Sequence, residues 1–83
     1  MLDHWHQTAD STDEVKKFNH VSGRYAVWGR VVDSRELWEI RDGQGPQGYT
    51  VAGPFTTKAE AMQETENIIV SNEGAESTTH VRR

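Results

Sequence analysis

The sequence predicts an α+β domain, a small βββα fold in which a three-stranded antiparallel meander packs on one helix. Three observations carry that prediction. "RYAVWGRVV" and "ELWEIRD" are rich in β-branched and aromatic residues, and only Asp33-Ser34, a turn-forming pair, separates them. "YTVAGPF" follows across the loop "GQGPQG", whose glycines can adopt positive φ. "TTKAEAMQETENIIVS" then sets Ala61, Met62, Thr65, Ile68 and Ile69 on one helical face.

Each element has its own grammar. In the second strand Trp38 and Ile40 alternate with Leu37, Glu39 and Arg41, so the two faces differ. In the third, Tyr49, Val51 and Phe55 share one parity, and Pro54, lacking a donor, ends the strand. Thr57 and Glu60 have the spacing of a capping box, which starts the helix, and Gly74 is its expected stop. Glu60, Glu64 and Asn67 fall on the opposite, watery face. The opening "MLDHWHQTADSTDEVKKFNH" is polar and shows no sustained period, which predicts a flexible arm over residues 1–21. One helical turn is expected near Ser11 and Glu14, which have capping spacing. The ordered domain is then residues 22–72. Residues 73–83 form a flexible tail in which "STTHV" could add an edge strand.

Composition narrows the function classes. A chain of 83 residues holds one small domain, and a hydrophobic content of 34% with mean hydropathy −0.81 is low for a compact protein, so part of the chain is expected to be unstructured. No apolar run approaches the roughly 18 residues of a membrane span, and no apolar leader follows Met1; the expected location is the cytoplasm. Without cysteine, disulfides, thiolate metal sites and thiol catalysis are excluded. The net charge of −4 is unevenly placed. Residues 24–56 balance Arg24, Arg30, Arg35 and Arg41 against Asp33, Glu36, Glu39 and Asp42, and both flanks are acidic. A strongly basic footprint for phosphate backbones is missing.

Two surfaces qualify as binding candidates. With Val27, Val31, Trp38, Ile40, Tyr49 and Val51 pointing inward, Trp28, Arg30, Leu37, Glu39 and Arg41 point outward, and Arg35 joins them. Tryptophan and arginine are the residues most enriched at binding hot spots. The competing reading makes Arg30, Glu39 and Arg41 cross-strand ion pairs on a solvated sheet, with Trp28 shielded by a tail. The second surface is the acidic helix face of Glu60 and Glu64, either simply solvated or offered to a basic partner.

Catalytic and metal chemistry find less support. "DHWH" offers Asp3, His4 and His6, but no partner cluster lies nearby in sequence, so no metal and no cofactor is expected. His20 and His80 read as isolated surface residues. No nucleophile motif or spaced carboxylate pair appears, and "GQGPQG" precedes a strand rather than a helix, so an enzyme is not expected.

At "EIRD", a loop and then "GPFTTKAEA", the chain resembles the plant ethylene-response-factor type of DNA-binding domain. More loosely, it is similar to the arm-binding domain of phage integrases. The resemblance spans residues 35–65 and implies a three-stranded sheet laid in the major groove with a helix behind it. It implies that Arg35, Glu39 and Arg41 face DNA. Ala26, Gly29, Val31 and Asp33 stand where the plant family has several arginines and a tryptophan, and Tyr49 and Val51 where its third strand has an arginine and a tryptophan.

The leading expectation is a small non-enzymatic binding module that engages a protein partner through the sheet face or the acidic helix, as some phage-encoded inhibitors or regulators do. The alternative is a DNA-binding module with Arg30, Arg35 and Arg41 as contacts. A third reading is a structural homodimer paired through "RYAVWGRVV", a strand with neither proline nor lysine to blunt its edge. Against that dimer, the arm or the tail would cover the same edge.

Overall fold

The computed structural model describes the backbone of residues 2–81 and the side chains of residues 3–72. After a short 3-10 turn at Leu2–His4 come five strands: β1 (Trp5–Gln7), β2 (Val15–His20), β3 (Tyr25–Val32), β4 (Arg35–Asp42) and β5 (Tyr49–Phe55). They pair in chain order as one antiparallel sheet, and the helix α1 (Lys58–Val81) crosses one face. No described helix is long and apolar enough to cross a membrane.

The three-stranded meander is therefore corrected to a five-stranded one. The segment expected to be an arm supplies β1 and β2, with Trp5 opposite His20 and Phe18 opposite Val27. Ser11 does not start a helical turn; its hydroxyl accepts the Lys17 amide and donates to the Lys17 carbonyl, bracing the β1–β2 loop. With β2 on one side and β4 on the other, β3 has no free edge, which overturns the expected dimer through this strand. The sheet ends at β1 and β5 instead.

The core lies between the sheet and α1. Val27 and Ile40 are fully buried, Trp38 and Tyr25 nearly so, and Ala61 and Met62 meet them from the helix. Trp38 lies flat against its cross-strand neighbour Gly29, where a Cβ would come within 2.4 Å of the indole ring. Phe18, Ala52, Phe55, Ile68 and Ile69 close the rim. Thr65 is buried among these residues and donates its hydroxyl to the Ala61 carbonyl at 2.8 Å, so no orphan donor remains there.

Local chemistry sets the joints. Asp33 and Ser34 take φ of 52° and 64°, the paired left-handed geometry of a two-residue hairpin turn. The Thr57 hydroxyl accepts the Glu60 amide at 3.1 Å, while the Glu60 carboxylate accepts the Thr56 and Thr57 hydroxyls at 2.6 and 3.1 Å. The helix runs past Gly74, so the expected stop there is not used, and "STTHV" is not a strand. In β5 the register with β4 shifts between Trp38 and Ile40 and again between Ile40 and Arg41. These irregularities put Ala52 and Phe55 on the core side and leave Tyr49 and Val51 exposed, against the parity expected from the sequence. Val31, beyond the helix's cover, is exposed as well. Pro54 lies inside β5, which tolerates it as an edge strand.

Candidate functional site

The sheet face away from the helix gathers the candidates read from β3 and β4. In the ladder Trp28 stands opposite Glu39, Arg30 opposite Leu37 and Val32 opposite Arg35, with Arg41 opposite Ala26. Strand alternation therefore puts Trp28, Arg30, Arg35, Leu37, Glu39 and Arg41 on one surface. β2 adds Val15 and Lys17, paired with Arg30 and Trp28. The sequence does not mark these two, because the first 21 residues carry no sustained strand alternation.

Trp28 is the centre of this face. The Lys17 Nζ sits 4.4 Å from the indole centroid, and the Arg41 guanidinium carbon sits 3.9 Å from it. Both cations come from neighbouring strands and are attracted to the π-system of the indole. Arg41 is also tied to the Gly48 carbonyl, and Lys17 to Asp10 at 2.9 Å. Beside the indole lies a groove of about 390 Å³ lined by Val15, Trp28, Leu37, Glu39, Arg41 and Pro54, among others. Among the described residues, Arg30, Arg35, Glu39 and Arg41 form no ion pair, so the cross-strand salt-bridge reading has no support. The Arg41 Nε and the Asn19 Oδ1, both buried on this side of the sheet, lack a hydrogen-bond partner.

The helix candidates are less available. Glu60 is exposed but spent on the threonine cap, and hydrogen bonds from Thr56 and then Thr57 hold its carboxyl below the usual range. Glu64 accepts the Asn67 amide at 3.3 Å along the helix surface.

A second constellation was not legible in the sequence. His4 Nδ1 approaches Glu66 Oε2 at 3.0 Å, and His20 Nε2 approaches the same oxygen at 3.2 Å. His20 is not an isolated surface residue: it is buried, its ring meets Trp5 edge-on at 4.8 Å, and its Nδ1 accepts the Ser22 amide at 3.0 Å. Burial pushes the Glu66 carboxyl up, but the hydrogen bonds from His4 and His20 outweigh it and leave the group below its ordinary value. Two imidazole nitrogens and a carboxylate oxygen thus converge within 4.8 Å, a donor set able to hold a borderline divalent cation. Asp3 and His6, the other residues of "DHWH", are exposed and outside this group, and the side chain of His80 lies outside the described residues.

No family model, no curated protein and no solved structure matches this chain.

Proposed function

We propose that the chain is a non-enzymatic binding module that engages a protein partner through the outer face of its sheet. The observation that carries this reading is the groove beside Trp28, whose lining combines the apolar Val15, Leu37 and Pro54 with Arg30 of β3 and with Glu39 and Arg41 of β4. A protein segment matches such a surface: an apolar side chain fills the groove, a carboxylate meets Arg30 or Arg35, and a donor meets Glu39. Trp28 is already braced by Lys17 and Arg41, so little side-chain entropy is lost when a partner covers it. The acidic helix is the weaker candidate, because Glu60 and Glu64 already serve the helix itself.

Selection of displayed peptides on the immobilised protein tests this. Enriched peptides should pair an apolar residue with acidic ones and lose binding to Leu37→Asp or Arg30→Glu. Peptides that bind these variants as well as the wild type would displace the site from this face.

The second reading, DNA binding, draws on Arg30, Arg35 and Arg41 sharing one surface. It must contend with Glu39 among them and with cations already occupying the Trp28 ring, where a base would otherwise stack. Titration into duplex DNA at low and then moderate salt separates the two. Little binding at either salt is expected; affinity that falls steeply with salt would favour the nucleic-acid reading.

A further inference from the structure

We propose that His4, His20 and Glu66 form a binding site for a divalent cation of the zinc type. Three independent segments supply the ligands: the turn before β1, the end of β2, and α1. In a tetrahedral site with bonds of about 2.0–2.1 Å, neighbouring ligand atoms stand about 3.3 Å apart. The observed separations from Glu66 Oε2, 3.0 Å to His4 Nδ1 and 3.2 Å to His20 Nε2, are close to that edge length. The remaining imidazole–imidazole edge lies within 4.8 Å. Two nitrogens and one carboxylate select zinc-like ions over calcium or magnesium, which favour all-oxygen shells.

The scaffold around these atoms is already fixed. The Val21 amide donates to the His4 carbonyl at 2.8 Å, and Trp5 pairs with His20 across the ladder, so the two histidines are held by sheet geometry. Glu66 rides on α1 next to the buried Thr65. The side chain of His4 is 51% exposed, which leaves an approach from solvent and a coordination position for water.

Binding requires both rings to clear the proton that faces Glu66: in His4 it moves from Nδ1 to the Nε2 of the exposed ring, and His20 undergoes the opposite shift. Without metal, the Ser22 amide donates to His20 Nδ1, so Nε2 carries the ring proton and donates it to Glu66. A cation at Nε2 needs that lone pair, so the ring must carry its proton on Nδ1 instead, and the Ser22 hydrogen bond breaks. Ser22 lies in an exposed turn, where water can take over its amide and the Nδ1–H.

Calorimetric titration of the full chain with zinc chloride, in a non-coordinating buffer with excess magnesium, tests the site. One zinc per chain is expected. His4→Ala and Glu66→Gln, the latter keeping a hydrogen-bond acceptor beside both rings, should each weaken binding by about tenfold or more. His6→Ala, on the exposed opposite face of β1, should leave it unchanged. Nitrogen chemical shifts of the His20 ring should move from the Nε2–H to the Nδ1–H form at zinc saturation, with faster exchange of the Ser22 amide. Absence of one-to-one binding would overturn the proposal. So would an affinity equally reduced by His6→Ala, or a His20 tautomer that zinc leaves unchanged.

Discussion

At the scale of the residue, Gly29 shows how a small side chain fixes a large one. Trp38 is buried across the ladder with its ring pressed onto the Gly29 backbone, and its Nε1 donates to Glu36 at 3.0 Å, which sets the ring's direction. A methyl group at position 29 would overlap three indole atoms at 2.4–2.5 Å, and the ring cannot swing away without losing Glu36. Gly29→Ala should therefore cost about 1–3 kcal/mol, the usual range for overpacking a core. Urea denaturation measures it, and an unchanged midpoint would mean that the indole relocates freely. The inward direction of Trp38 and Ile40 was readable from strand alternation, as was the outward set around Trp28. The His4–His20–Glu66 convergence was not, because 46 residues separate His20 from Glu66 and no local period links them.

At the scale of the element, the β3–β4 hairpin was legible because turn chemistry is local. Asp33 and Ser34 supply the turn, yet both are held at positive φ, which is unfavourable for a residue bearing a Cβ. Ser34→Gly removes that penalty, partly offset by the greater freedom of glycine in the unfolded chain. A net gain of about 0.5–1 kcal/mol is expected, read as a higher thermal midpoint. A loss would mean that the serine side chain makes a contact that outweighs the backbone strain. β1 and β2 were illegible for a complementary reason. Each offers the core a single large apolar side chain, Trp5 or Phe18, and the rest of the inward row of β2 is Lys16 and His20. Lys58 Nζ lies 4.9 Å from the Phe18 ring, so even that residue is capped by a cation rather than by more hydrocarbon. In β5 the alternation is present, but the bulges break its phase, which no count of parity can anticipate.

At the scale of the whole molecule, ion pairs and the pairing of every inner strand edge set how the fold responds to its surroundings. Arg24 donates through Nε and Nη2 to the two oxygens of Asp42 at 3.0 and 2.9 Å, joining the start of β3 to the end of β4. Those hydrogen bonds, opposed by some burial, hold the Asp42 carboxyl below its ordinary value. A carboxyl whose folded value lies below its unfolded one stabilises the fold fully above the unfolded value, and loses that contribution as pH falls through the folded value. Denaturation midpoints should thus drop as pH falls through and below the ordinary carboxylate range, and Asp42→Asn should flatten that acid limb while lowering the neutral plateau. An acid limb unchanged by the substitution would assign the loss to other carboxyls.

The cover that β2 gives the edge of β3 has the larger consequence. Removing residues 1–21 deletes β1 and β2, takes Trp5 and Phe18 from the packing around Val27, and uncovers the whole edge of β3. That edge carries Tyr25, Val27 and Val31 with no proline or lysine, so its free amides and carbonyls invite another strand. The truncated chain should lose its cooperative thermal transition and sediment as dimers or larger species, while the full-length chain keeps the edge occupied by β2. Adding Val27→Pro to the truncated chain removes a ladder donor from the exposed edge and should suppress the association without restoring the fold. A truncated chain that stays monomeric and melts cooperatively, at the full-length midpoint, would show that β3, β4, β5 and α1 are self-sufficient. The first two strands would then be accessory to the fold rather than part of its core.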